Sequence, residues 1–352
     1  MEEKISLIVS LNFRAAHISH LLASYRQMEE LGYKSILYID KNFIPYLPTS
    51  VEYITDLGKL EHIDVAIFWF PALKNINAMI KLKLRHDAKI IYIYHEPVEA
   101  FSSYLKSGNS FWWTIKYFLK YYIGLTFIKL ADKIILPSKK ALELYQQNVT
   151  NKLNSNYSYL PLLYEDESQY IENQNREFFS YIGGISFDHA FDKYLDFIYE
   201  YYKKSETLPI KFLIASWRQL PKDSRISEMK DAGVLTIQCG KPLTNDEINK
   251  FYASTLLVWN AYNRTTQSGV LAKSFMFGTP GLVLKKNLSE FIQDKKEVIA
   301  IESNTNFNQI KNAIQYAIEN IDQLSISARS NYLKNYDYKS HNLEMKNILH
   351  SL

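Results

Sequence analysis

The chain has a single cysteine, Cys239, among 352 residues, which excludes an internal disulfide framework and a cysteine-rich zinc site. A reducing cytosol is the setting that fits. Eleven glycines and ten prolines are too few for collagen-like repeats or low-complexity scaffolds, and 47% hydrophobic residues argue against disorder. No run of about 18 apolar residues occurs, so no membrane-spanning helix is expected. The opening MEEKISLIVS lacks the basic, apolar and small-residue order of a secretory signal, so export is not expected either. Asp-x-Asp occurs nowhere, so no site for a metal-bound diphosphate of that kind is expected.

What is present is length, aromatic content and an uneven charge. At about 150 residues per domain, this chain makes roughly two domains, each able to bury a core. The net charge of +4 is too small to suggest nucleic-acid binding, and none is expected. Residues 1–162 carry 19 basic against 14 acidic side chains, so the basic excess lies in the first half.

Short apolar runs alternate with helical patterns, as in a buried parallel sheet. KISLIVSL (Lys4 to Leu11), KSILYID, VEYITDL, IDVAIFWF, AKIIYIYHEP and DKIILPS read as strands of the first half. ISHLLASYRQMEEL, a stretch from Asn75 to Arg85, one from Ser110 to Leu130 and one from Lys139 to Gln147 read as its helices. The polar stretch Glu165 to Glu177 has no apolar period and reads as a linker. FFSYIGGI, IKFLIAS, VLTIQCG, STLLVWNA and TPGLVL repeat the strand pattern after it, with FDKYLDFIYEYYKK and NFNQIKNAIQYAIENI as helices. The expected class is α/β, with two Rossmann-like doubly wound domains facing across a cleft.

Ligands of such sheets bind beyond the carboxyl ends of the strands, so the residues there are the candidates. After the first strand comes Asn12 to His17, without the Gly-x-Gly-x-x-Gly of a dinucleotide site; His17 fits a cleft role and equally an incidental residue at a helix start. AKIIYIYHEP ends in His95 and Glu96, stopped by Pro97, which leaves two titratable groups at a strand mouth. Gly183 and Gly184 follow FFSYI, where a glycine pair lets a backbone approach a ligand or simply makes a turn. Arg218 follows IKFLIAS and suits a bidentate phosphate contact or a surface position.

The segment Asn260 to Leu284 carries the sharpest signal. A strand ends near Ala261, a polar loop runs from Tyr262 through Arg264, Thr265 and Thr266 to Gln267, and Ser268-Gly269 opens a helix. N–H groups of Ser268, Gly269 and Val270, with hydroxyls of Thr266 and Ser268, make an anion cradle at the positive end of a helix dipole. A phosphate or pyrophosphate fits it.

These residues resemble the GT-B-fold glycosyltransferases, and most closely glycosyltransferase family 4, over nearly the whole chain. ELGYKSILYID and LADKIILPSKKALELY are similar to the start and end of the family's acceptor domain. YIGGISFDHAFDKYLDF looks like the start of its donor domain, and the segment KPLTNDEINKFYAS through SFMFGTPGLV like the part that holds the nucleotide-sugar. The resemblance implies an acceptor-binding domain over 1–162, a linker over 163–177, a nucleotide-sugar domain over 178–330 and a helix over 331–352 that returns to the first domain. It implies a metal-independent transferase moving a hexose from a nucleoside-diphosphate sugar, with a UDP-sugar favoured, to a glycan or lipid-linked acceptor. Retention at the anomeric carbon and a role in bacterial surface polysaccharide or glycoconjugate synthesis are implied with it. No further cofactor and no bound metal are expected.

The same resemblance matches His95 to a histidine that contacts the transferred sugar. It also marks departures: the family's Glu-x7-Glu positions hold Thr265 and Lys273, and the Arg and Lys after the donor-domain glycine are Gly184 and His189. Arg218, Arg264 and Lys273 are then the candidate cations for the diphosphate, and His17 or Glu96 a base if the enzyme inverts. The lost acidic pair also motivates a second reading, a catalytically silent GT-B subunit supporting an active partner.

Residues 104–130 interleave Lys106, Lys116, Lys120 and Lys129 with Trp112, Trp113 and many Tyr and Phe. That mixture suits a helix lying on an anionic leaflet, and equally a core helix whose lysines face water. The expected location is the cytoplasm, with the inner face of the cell membrane as the place of a peripheral contact.

Overall fold

The computed structural model describes residues 3–60, 62–69, 72–95, 97, 102, 111–149, 156–170, 175–204, 209–265 and 268–352. The chain divides into two units, Met1–Glu165 together with Asp337–Leu352, and Asp166–Tyr336.

The first unit is built on β1 (Ile5–Ser10), β2 (Lys34–Ile39), β3 (Tyr53–Ile54), β4 (Val65–Trp69), β5 (Lys89–Ile93), β6 (Lys133–Leu136) and β7 (Tyr157–Tyr159). They form one parallel sheet in the order β3-β2-β1-β4-β5-β6-β7. The helices are α1 (Ile18–Glu30), α2 (Leu73–His86), α3 (Phe111–Leu130) and α4 (Lys139–Asn148). Strands β1, β4, β5 and β6 are buried almost throughout, which is why they read as continuous apolar runs. Ser138 caps α4 by accepting from the Ala141 N–H at 3.0 Å, which fixes where strand gives way to helix.

The second unit holds β8 (Phe178–Ile182), α5 (Phe191–Lys203), β9 (Lys211–Ser216), α6 (Ser224–Asp231), β10 (Leu235–Cys239), α7 (Asn245–Ala253), β11 (Thr255–Asn260), α8 (Gly269–Met276), β12 (Gly281–Leu284), β13 (Val298–Ile301) and α9 (Phe307–Asn335). Its sheet runs β10-β9-β8-β11-β12-β13, again all parallel. Both sheets reverse direction of growth beside their first strand, between β1 and β4 and between β8 and β11, and such a reversal opens a crevice at the carboxyl ends. In the core of this unit Tyr194 is fully buried, and its hydroxyl donates to the Phe179 and Leu213 carbonyls at 2.8 and 3.1 Å. Those bonds offset the cost of burying a phenol and pin α5 across β8 and β9.

Several boundaries differ from the sequence reading. VEYITDL contributes only the two residues of β3, because Asp56 turns the chain by accepting from the Gly58 N–H. Strands β7 and β13 were not expected. The stretch 163–177 is not a bare connector in its described part. Leu163 and Tyr164 are buried with the first unit, and Asp166, Glu167 and Arg176 bond within the second. No helix begins at 331: α9 runs through Asn335 with a kink at Asn320, and the chain from Asp337, including α10 (Asn342–His350), belongs to the first unit. There Tyr338 donates to Glu30 at 2.7 Å and Gln27 donates to the Tyr338 carbonyl at 3.2 Å.

Candidate functional site

In the second unit the crevice between β8 and β11 gathers most of the expected donor residues. Gly183 follows β8 with φ +133, and a β-carbon placed on it would come within 3.4 Å of Val270 Cγ2. The glycine turn therefore lies against the first turn of α8. The loops after β8 and β11 are knitted together: the Asp188 carbonyl accepts from the Asn263 N–H at 2.9 Å and the Arg264 N–H at 3.4 Å. His189 stacks on the buried Tyr262, centroids 4.3 Å apart, with its Nδ1 2.7 Å from the Gly184 carbonyl. A carbonyl accepts only, so Nδ1 carries the proton and Nε2 is left as an acceptor in the neutral ring.

Ser268 is the N-cap of α8, its Oγ accepting from the Leu271 N–H at 3.3 Å and from Asn260 Nδ2 at 2.6 Å. The Ser268 oxygen is spent on capping, which leaves only its O–H proton as a donor to an anion. Asn260, buried at the end of β11, was not singled out in the sequence, yet it fixes that hydroxyl. Thr266 and Gln267 lie outside the described residues, as does Glu96.

Of the three candidate cations, two stand at the crevice. Arg218 is exposed, stacks on Trp217 at 5.0 Å and donates from Nη1 to the Ile185 carbonyl at 3.0 Å, beside the glycine turn. Arg264 follows β11 in the loop tied to Asp188. Lys273 is the exception. It is buried in α8, 3.7 Å from Glu167 Oε2 and 3.5 Å from Asn245 Oδ1, and burial lowers its pKa. Its charge is engaged with Glu167, which Asn249 also bonds at 2.5 Å, so as a diphosphate ligand it is displaced by a partner the sequence did not reveal.

The other end of α8 is held by two arginines. Arg176 Nη1 donates to the Thr255 carbonyl at 3.0 Å and to Thr279 Oγ1 at 2.5 Å, and Nη2 to the Phe277 carbonyl. Arg329 Nη1 donates to the Met276 carbonyl at 2.8 Å and the same side chain pairs with Asp166. Cations at a helix C-terminus complement its dipole and occupy carbonyls that have no helical partner. Burial pulls the Arg176 pKa down to about 10, still charged at neutral pH. Burial likewise pushes the Cys239 thiol up to about 11, so no thiolate nucleophile exists there at neutral pH.

In the first unit the candidates cluster at the carboxyl ends of β1, β4 and β5. His17 precedes α1 and is 6% exposed. Burial drives its pKa well below the usual imidazole value, and the charges of Arg14, His20 and His95 act in the same direction. His17, His20 and His95 therefore share one neighbourhood. His20 stacks on Trp69 (5.1 Å) and packs on Tyr164 (4.5 Å), its Nδ1 3.1 Å from the Leu163 carbonyl. Asn75, also buried, accepts from the Leu11 N–H at 3.1 Å and donates to the Trp69 carbonyl at 3.3 Å, joining the ends of β1 and β4. Among the described residues no group of three His, Cys, Asp or Glu side chains is placed to hold a metal ion.

No protein-family model matches the sequence, and no curated protein matches it. Solved structures do. HepE of Anabaena in complex with UDP is 12% identical and superposes with a TM-score of 0.67, over 99% of this chain and 100% of that one. A glycosyltransferase of Rickettsia africae ESF-5 is 12% identical with a TM-score of 0.69, over 99% and 98% of the two chains. The sucrose-phosphate synthase of Thermosynechococcus elongatus is 10% identical with a TM-score of 0.66, over 99% and 98%. The fold is GT-B. At such identities the likeness carries the architecture and nothing finer, and membership of glycosyltransferase family 4 is not part of it.

Proposed function

We propose that the chain is a glycosyltransferase that moves a hexose from a nucleoside-diphosphate sugar, a UDP-sugar first among them, to a glycan or lipid-linked acceptor. The observation that carries the proposal is the crevice between β8 and β11, where a glycine turn meets the capped start of α8 beside Arg218 and Arg264. HepE, whose fold this chain shares over its full length, was captured with UDP and with UDP-glucose, which supports the choice of donor. Breaking the bond between the anomeric carbon and the diphosphate oxygen leaves negative charge on the diphosphate and positive charge on the sugar. A helix N-terminus and two guanidinium groups stabilise the first of these, and no metal is needed for that role.

On this reading the enzyme belongs with glycosyltransferase family 4 and retains configuration. The acceptor hydroxyl attacks from the face the diphosphate leaves and gives its proton to the departing phosphate oxygen. His95 contacts the transferred sugar. His17, kept neutral by burial, offers an uncharged ring at the same strand mouths. Products of this chemistry include surface polysaccharides and other glycoconjugates.

Gly269→Val tests the donor site. A branched side chain at the first position of α8 blocks a phosphate from the helix start, so UDP affinity by calorimetry should fall at least tenfold with the thermal midpoint little changed. Unchanged affinity refutes the assignment. Absence of affinity in the unmodified protein would favour the silent subunit, a reading to which the burial of Lys273 against Glu167 lends weight.

A further inference from the structure

Helix α3 is the least conventional element of the first unit. Its last turns are core: Phe127 and Ile128 are fully buried, Phe127 packs on Tyr92 at 4.8 Å, and a β-carbon on Gly124 would come within 3.2 Å of the Tyr94 hydroxyl. Its first turns are the reverse. Phe111, Phe118, Leu119 and Tyr122 are 42–61% exposed, and Trp112 is 77% exposed. A helix that merely completes a core buries such side chains; this one leaves them in water, at a cost in hydrophobic free energy that needs an occupant.

The exposed residues are not scattered. Phe111, Phe118 and Tyr122 stand at helical spacing with Leu119 beside them, so they form one stripe, and the rings of Phe118 and Tyr122 touch edge to face at 5.3 Å. The charge along the helix is of one sign. Its 20 residues include Lys116, Lys120 and Lys129 and no Asp or Glu. Lys116 lies over the Trp113 ring at 5.2 Å, an ammonium beside an amphipathic ring of the kind that sits at a lipid headgroup layer. Packing against a second copy would set the same lysines near one another, an unfavourable arrangement for a symmetric contact. No helix among the described residues is long and apolar enough to cross a membrane.

We propose that the exposed stripe of α3 is a docking surface for an anionic phospholipid bilayer, with the helix lying in the plane of the interface, its aromatic side chains among the acyl boundary and its lysines among the headgroups. This is independent of the donor site and bears on where the protein meets its acceptor. Co-sedimentation of the full chain with vesicles tests it. The protein should pellet with phosphatidylcholine vesicles containing phosphatidylglycerol, stay in solution with pure phosphatidylcholine, and lose binding in high salt. Lys116→Ala and Lys129→Ala should each weaken binding about fivefold, and Phe118→Glu with Tyr122→Glu should abolish it. Calorimetry with UDP on the same variants should give unchanged affinity, which keeps a failure here distinct from a failure of the donor assignment. No binding to anionic vesicles, equal binding to neutral ones, or full binding by the Phe118→Glu, Tyr122→Glu protein overturns the proposal. A dimer seen by ultracentrifugation and dissolved by Phe118→Glu also overturns it, since the stripe then belongs to a second copy.

Discussion

Gly278 terminates α8, and its replacement by alanine should unfold the second unit far more easily. The backbone there is left-handed, φ +65, a region that costs a non-glycine residue about 1 kcal/mol or more. A β-carbon would also come within 2.5 Å of Ser325 Oγ and 3.0 Å of the Ser325 carbonyl, on the helix α9 that packs across α8. Relief of such overpacking costs roughly 1–3 kcal/mol, so the sum is about 2–4 kcal/mol. With a urea dependence of about 2 kcal/mol per molar, the midpoint of the transition that unfolds this unit should drop by roughly 1–2 M. Circular dichroism in urea reads it. The cause can be dissected, because Ser325→Ala removes the Oγ and leaves the carbonyl and the positive φ. The double variant should recover part of the loss and not all of it. An unchanged midpoint for Gly278→Ala, or complete rescue by Ser325→Ala, would refute the view that backbone conformation and α8–α9 packing both require glycine.

His95→Ala should lower turnover about 100-fold while UDP affinity stays near that of the unmodified protein, measured by product assay and calorimetry; equal losses in both would remove His95 from the sugar. His17 has a depressed pKa in the folded chain, so below its unfolded value of about 6.5 the unfolded chain binds the proton more tightly and stability falls as pH is lowered. The midpoint in urea should therefore drop between about pH 6.5 and the lower folded pKa, and His17→Gln should flatten that slope. A slope the variant leaves untouched would place the effect on another group.

The central strands were legible because each is a short apolar run ended by a polar or glycine residue, and the Rossmann order follows from their alternation with helices. Strands β7 and β13 were hidden for physical reasons. Each lies at a sheet edge, and the four residues before β13, Asp294 to Glu297, are all charged and read as loop. Gly183 and Ser268 could be picked out because a glycine at a strand end and a serine before a helix have local meanings. The contacts that decide what those residues do are not local. Asn260 on Ser268 Oγ was within reach of inspection, eight residues away, but required knowing where β11 stops. Glu167 on Lys273, and Arg176 and Arg329 on the end of α8, join residues far apart in the chain, and no periodicity announces them. Nothing local in the sequence marks His20; its ring contacts with Trp69 and Tyr164 depend on the chain returning past α1.

Turnover decides whether the protein is the glycosyltransferase proposed. The purified protein is incubated with a panel of UDP-, GDP- and dTDP-sugars and with glycan and lipid-linked acceptors, and the product's anomeric configuration is read by NMR. Transfer from a UDP-sugar is expected, without added metal, to a product with the donor's configuration. Transfer only from a GDP- or dTDP-sugar, or an inverted product, would contradict the donor or the stereochemistry. No transfer from any donor would contradict the enzyme itself.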